Sequence, residues 1–235
     1  MNSDEMTPNP WTALPSKAPF VLAEDSAAIA RFNERATERT RVETDLLPEP
    51  FVGRLEAPVV LLALNPGVSD GDFELHEDLA FQDRVRSCHR QDPLAWPYYY
   101  LDPEVNGPGA RWSARVLALL IRELGAARTA NGVVLFEYMA YHSRGFAHDR
   151  VELPSQAFTF SLVRAALSRA TAVFVTRGLK LWSKAIPQLA DHPRLFRTRS
   201  TQNIVISPRN CPEGWNAALA GLRAAGYGRD TVTAQ

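Results

Sequence analysis

Asn65, followed by Pro66 and Gly67, closes the apolar run VVLLAL and opens the polar loop VSDGD. A buried parallel strand ending in such a turn delivers side chains to the crevice beyond its carboxyl end, where open α/β sheets bind ligands. Two more strand ends are expected on the same rim. One is Glu137 to Ser143, including His142; the other is Ser207-Pro208-Arg209-Asn210. Right-handed crossovers place all three on one side. Together they offer an amide, a carboxyl, an imidazole that exchanges protons near neutral pH, and a helix start whose backbone N–H groups suit a phosphate. Each also has a plain reading. Asn-Pro-Gly is a tight turn, His142 a packed or surface histidine, and SPRN a strand-to-helix turn with a solvated arginine.

The elements that position these residues follow from the apolar pattern. Val59 to Leu64 is continuously apolar, as expected of a strand covered on both faces. Further strands are expected at VVLFEYM, TAVFVT and NIVIS. Helices are predicted from Glu24 to Thr40 with Asp25 or Ser26 as cap, near Leu79 to His89, and from Ala110 to Leu124 with a stop at Gly125. Three more are predicted from Pro154 to Ala170, after Gly178, and from Glu213 to Ala225 with a stop at Gly226. Residues 66 to 109 form the longest irregular region, and loops of that length are often functional. Its WPYYY cluster either packs the loop onto the sheet or lines a pocket. The alternation of strands and helices predicts an α/β/α sandwich with a four-stranded, mainly parallel sheet. Residues 1–22 are expected to be an extended arm and 23–235 one domain.

The chain has 235 residues, 46% apolar and 22% charged, with 26 basic and 26 acidic side chains. Zero net charge gives no support to tight non-specific binding of nucleic acid. Cys88 and Cys211 are too few and too far apart for an iron–sulfur cluster or a zinc ribbon. The start MNSDEMTPNPW lacks a secretory pattern, and no apolar run suffices for a membrane span. A cytoplasmic, monomeric protein without metal or cofactor is the expectation. No GxGxxG, GxxxxGK[ST] or GxSxG motif supports a familiar nucleotide-binding or hydrolase site.

LALNPG resembles the GMNPG and GINPG motifs of the uracil-DNA glycosylase superfamily, in its single-strand-selective and mismatch-specific branches. SPRNCPEGW is similar to the second half of the HPSPRNP…GW motif of the single-strand-selective branch. The two motifs lie in the same order as in that family and span residues 57 to 216, so the resemblance is to a distant branch. It implies a glycosylase-like fold and a monofunctional, base-flipping DNA-repair enzyme that hydrolyses the N-glycosidic bond of a deaminated or modified base. Its partner would be DNA, bound weakly or at lesions. Asn65 would orient the attacking water, and Gly67 would let the backbone approach the substrate. Phe81, or alternatively Phe73, would stack on the flipped base. Ser207, Pro208, Arg209 and Asn210 would press on the DNA backbone, with Arg209 filling the gap.

Two residues depart from that family's pattern. Val205 stands where the family has its HPS histidine, and valine cannot donate to the leaving base; His142 is the candidate substitute. Glu137 stands near the position where the single-strand-selective branch has a base-reading asparagine. Ionised, it offers acceptors only; kept protonated by burial, it offers a donor and an acceptor. Glu137 is therefore expected to shift preference away from plain uracil. The departures also favour a different class, a non-catalytic nucleobase or nucleic-acid binding protein that kept the fold. Trp112, Trp182 and Trp215 are assigned to the core.

Overall fold

Val59 to Ala63 forms the middle strand of the sheet because all five side chains are apolar and all five are buried. Successive strand residues point to opposite faces, so such a run requires cover on both. The computed structural model describes residues 8–200 and 204–225. It is an α/β protein with a five-stranded, mixed, mainly parallel sheet. The strands are β1 (Phe51–Gly53), β2 (Val59–Ala63), β3 (Val133–Glu137), β4 (Ala172–Val175) and β5 (Leu195–Phe196). Their spatial order is β1-β3-β2-β4-β5, with β1 antiparallel to β3 and every other pairing parallel.

Nine α-helices are present among the described residues: α1 (Ala23–Asn33), α2 (Asp70–Glu77), α3 (Leu79–Arg90), α4 (Pro108–Val116), α5 (Ala118–Leu124), α6 (Ala126–Gly132), α7 (Gln156–Arg169), α8 (Leu179–Ala185) and α9 (Pro212–Ala224). None is long and apolar enough to cross a membrane. Both cysteines are buried and free. The described part of the N-terminal arm packs into the core through Trp11, Leu14, Phe20 and Leu22.

The sheet differs from the four-stranded expectation in two ways. An antiparallel edge strand, β1, is added, and residues 204–206 of NIVIS are not a strand. The Ile206 N–H instead bonds the Val116 carbonyl at the end of α4, so a helix end satisfies the polar groups that the apolar pattern assigned to a ladder. The parallel edge is taken by β5, where Leu195 and Phe196 pair with β4. Other boundaries move as well. The helix predicted over 110–124 breaks at Leu117 (φ −99°, ψ 4°) into α4 and α5. Residues 66–109 carry two helices, α2 and α3, rather than one. α1 starts at Ala23 without a side-chain cap. Gly125 ends α5 at φ 84° as predicted, while Gly226 lies outside the described residues.

The strand ends are tied across the rim. Beyond the ladder, Tyr138 and Met139 N–H groups donate to the Ala63 and Leu64 carbonyls, and Thr176 donates its N–H and hydroxyl to the Leu62 carbonyl. The Trp182 indole N–H closes on the Ala63 carbonyl at 2.8 Å. At the far edge, Gly53 adopts φ +115°, and a Cβ there would sit 2.4 Å from the Val133 carbonyl oxygen. Gly53→Ala is therefore expected to lower the unfolding free energy by about 2 kcal/mol or more, read from urea melts.

Candidate functional site

Asn65 sits one residue past β2, and its orientation is fixed by chemistry. Its Nδ2 donates to the Pro66 carbonyl at 2.8 Å and to Ser143 Oγ at 2.9 Å. The Pro66 carbonyl only accepts, so the reversed amide would set oxygen against oxygen. Ser143 in turn donates its N–H to the Pro66 carbonyl and its hydroxyl to the Gly145 carbonyl. With its nitrogen committed, Asn65 Oδ1 is left as a half-exposed acceptor on the wall of a cavity of about 400 Å³. That volume is within the roughly 300–1,000 Å³ of small-molecule sites. Of the candidate residues, Asn65, Gly67, Glu137 and His142 all line it. A Cβ on Gly67 would meet nothing within 4 Å. The fold itself thus makes no demand for glycine at this position.

Glu137, the last residue of β3, is only 6% exposed, yet it lines the cavity. Its Oε2 is sealed and has no hydrogen-bond partner. Burial, reinforced by the negative charge of Glu49, holds its carboxyl well above the ordinary carboxylate range. Both causes favour the protonated form over the carboxylate.

Glu49 supplies the second carboxyl. Its Oε1 accepts from the Tyr99 hydroxyl at 2.8 Å and the Tyr100 hydroxyl at 2.7 Å. Burial pushes Glu49 up, against the opposing pull of His142 and the two hydroxyls. The phenols themselves stay protonated, held up chiefly by burial and then by Glu49.

His142 is 1% exposed, and both of its ring nitrogens face backbone carbonyls at 3.0 Å, Nδ1 that of Gly67 and Nε2 that of Leu47. Carbonyls only accept, so any N–H of the ring is committed to backbone. Glu49 Oε2 lies 4.0 Å from Nε2. His142 therefore holds the Asn65 turn from behind. The expectation that it replaces the missing donor to a leaving group is corrected, because no N–H remains to donate.

Edge-on to His142 lies His76 of α2, with ring centroids 5.0 Å apart. His76 Nδ1 accepts the Leu47 N–H at 3.0 Å, so its proton is on Nε2, which is buried without a partner. Burial and His142 push His76 down to about 2. Glu49, His76 and His142 bring ligand-type atoms within 4.8 Å of one another, a set that elsewhere holds divalent metals. Here it does not fit one, since the backbone around Leu47 and Gly67 engages the Nδ1 lone pair of His76 and faces both ring nitrogens of His142.

Several predicted residues do not converge on the cavity. Phe81 is 1% exposed on α3, packed on His76, Tyr99 and Tyr100, and is a core residue. Phe73 is half-buried on α2 and does not line the cavity either. The aromatic walls are instead Tyr100, Trp112 and Phe146; Trp112 is half-buried, packing against the core as expected while also lining the cavity. Ser207 is buried and caps a turn by accepting the Asn210 N–H, and the Asn210 side chain donates to the Val205 carbonyl. Pro208 and Arg209 are exposed at the tip of that turn. From residues 204–210 only Ile204 reaches the cavity, whereas Arg115, Arg144 and Arg177 line it as exposed cations. Glu49 gave no signal in the sequence, since Pro48-Glu49-Pro50 reads as a turn.

Comparison with protein-family models, curated proteins and solved structures finds no match to this chain.

Gly67→Ala is expected to change the unfolding free energy by less than about 1 kcal/mol. Glu137 gives a pH-dependent expectation. The unfolded chain ionises it near 4.5 while the folded chain holds the proton to higher pH, so its contribution to stability falls as pH rises above 4.5 towards the raised folded value. Glu137→Gln removes that loss, and its melting temperature should gain on the native protein as pH rises above 4.5.

Proposed function

We propose that this protein is a monofunctional DNA N-glycosylase of the uracil-DNA glycosylase type, taking a flipped base into the Asn65 cavity. The observation that carries the reading is the locked amide of Asn65, whose nitrogen is held by Pro66 and Ser143 and whose oxygen is free beside the cavity. A water donating to Oδ1 is positioned to attack C1′ of the sugar. The carbon–oxygen bond forms, the N-glycosidic bond breaks with its electron pair going to the base, and the water's surplus proton passes to solvent. An amide is a weak base, so its contribution is position and orientation.

Other features support the same reading. Gly67 leaves open space where a sugar–phosphate backbone would approach. Trp112 and Phe146 offer faces on which a base can stack. Arg115, Arg144 and Arg177 suit phosphates despite the neutral net charge, as does Arg209 if its turn presses on the duplex. Under this proposal the helices and mainly parallel sheet form the three-layer α/β/α sandwich of that family.

The second reading, a base-binding protein without turnover, is favoured by the lack of a donor for the leaving base. Val205 is absent from the cavity wall and both nitrogens of His142 are occupied. Losing one such donor costs about a hundredfold or more in rate. The two readings separate on a panel of oligonucleotides carrying uracil, hypoxanthine, xanthine or mismatched thymine, in single and double strands. Release of at least one base is expected, with Asn65→Ala slower by on the order of a hundredfold. Binding with no release above that variant would favour the second reading, and neither binding nor release would remove both.

A further inference from the structure

Zero net charge conceals a segregation of charge across the cavity. Residues 70–83, which contain α2 and the start of α3, carry six acidic side chains and no lysine or arginine. Residues 177–209, from the end of β4 to the SPRN turn, carry seven lysines and arginines against the single acid Asp191. The fold sets these stretches on opposite sides of Asn65. α2 leans on the β3 side, through His76 against His142, whereas the basic stretch belongs to β4 and β5, beyond the other edge of β2. Arg177 lines the cavity where β4 ends. α8 follows at once, with Lys180 and Lys184 on one face, about 6 Å apart along its axis. β5 runs parallel to β4, so the chain beyond it carries Arg197 and Arg199 towards the same rim. There the Arg199 N–H bonds the Asn210 carbonyl, which sets it against the turn that holds Arg209. These six side chains are exposed, and none forms an ion pair with a described residue. The seventh, Arg194, donates to the Ala170 carbonyl at the other end of β5.

Like charges gathered on one edge repel one another, and protein surfaces ordinarily intersperse both signs. Cations beside an edge strand also keep it from pairing with a second sheet. That accounts for Arg197 and Arg199 but not for α8 or the turn. A row of unpaired cations that starts at a cavity suits a chain of phosphates leading out of it, because each neutralised phosphate releases condensed counterions. The planar fork of arginine adds paired hydrogen bonds to phosphate oxygens. On the other side, the exposed Glu74 and Glu77 of α2 repel such a chain. We infer that α8 and the end of β5 form a one-sided phosphate track, holding the nucleic-acid strand that flanks the cavity. Lys180, Lys184, Arg197 and Arg199 are its contacts, and the strand does not cross α2. The track needs only these charges, whereas its register against a bound base rests on the base-pocket reading.

The test uses the full chain and a fluorescein-labelled oligothymidine of about twelve nucleotides, followed by fluorescence anisotropy. Salt is held near about 0.1 M, where charges more than about 10 Å apart are largely screened. Lys184→Glu/Arg197→Glu should bind about tenfold or more weakly while keeping the native circular dichroism spectrum. Lys180→Gln/Arg199→Gln, which removes charge without reversing it, should flatten the dependence of log Kd on log salt by about 1.4, from two lost contacts. Arg122→Glu/Arg128→Glu makes the same change of charge on α5 and α6, by the start of β3 at the opposite end of the sheet. It should stay within about twofold of the native protein, and Glu74→Lys/Glu77→Lys within about threefold. No binding by the native protein, or unchanged affinity and slope in the track variants, would overturn the inference. So would an equal loss in the Arg122 and Arg128 variant, a tenfold gain in the Glu74 and Glu77 variant, or equally tight binding of polyglutamate. Base release is scored separately, on strands with deoxyuridine at the centre or at either end. Release from one end matching the centre, with the other end slower, is expected. Equal release from both ends removes the one-sided track and leaves the glycosylase reading, whereas track-dependent binding without release does the reverse.

Discussion

A buried imidazole fixes the geometry of the site. Both ring nitrogens of His142 meet backbone carbonyls, of Gly67 and Leu47, and Glu49 Oε2 lies 4.0 Å away. A polar group is costly to bury unless its partners are present, so the segments that supply the partners are bound to one another. Leu47 and Glu49 come from the stretch before β1, Gly67 from the turn after β2, and Tyr99 and Tyr100 from the loop before α4. His76 adds α2 through the Leu47 N–H. The long region between Pro66 and Gly109 is held against the sheet by this network together with its aromatic packing, and the cavity is the space left between them.

The same low-dielectric setting sets the state of each acid. Glu49 is surrounded by donors, with His142 beside it, whereas Glu137 faces only a second carboxyl and has one sealed oxygen. Two carboxyls lining one cavity therefore sit in different surroundings. Asn65 stands across the same space, fixed by Ser143 rather than by any charge.

The apolar runs at β2, β3 and β4 were legible in the sequence because five or so buried residues in a row admit few alternatives to a covered strand. Asn65 and Glu137 were legible as strand-end residues for the same reason. NIVIS carries a similar pattern, but Ile206 satisfies its N–H on the end of α4, a tertiary choice that local periodicity does not encode. Glu49 was hidden between two prolines, and its meaning comes only from residues 50 and more positions away. Phe81 packs inside while Trp112 reaches the cavity wall, because both are aromatics on amphipathic helices and the face that each presents depends on how α3 and α4 pack.

The most direct measurement of the central claim is a crystal structure of Asn65→Ala with a single-stranded oligonucleotide carrying deoxyuridine. The account predicts the uracil inside the cavity, with C1′ beside the space vacated by the Asn65 side chain. DNA bound elsewhere with the cavity empty, or a base in the cavity with its C1′ far from position 65, would contradict it.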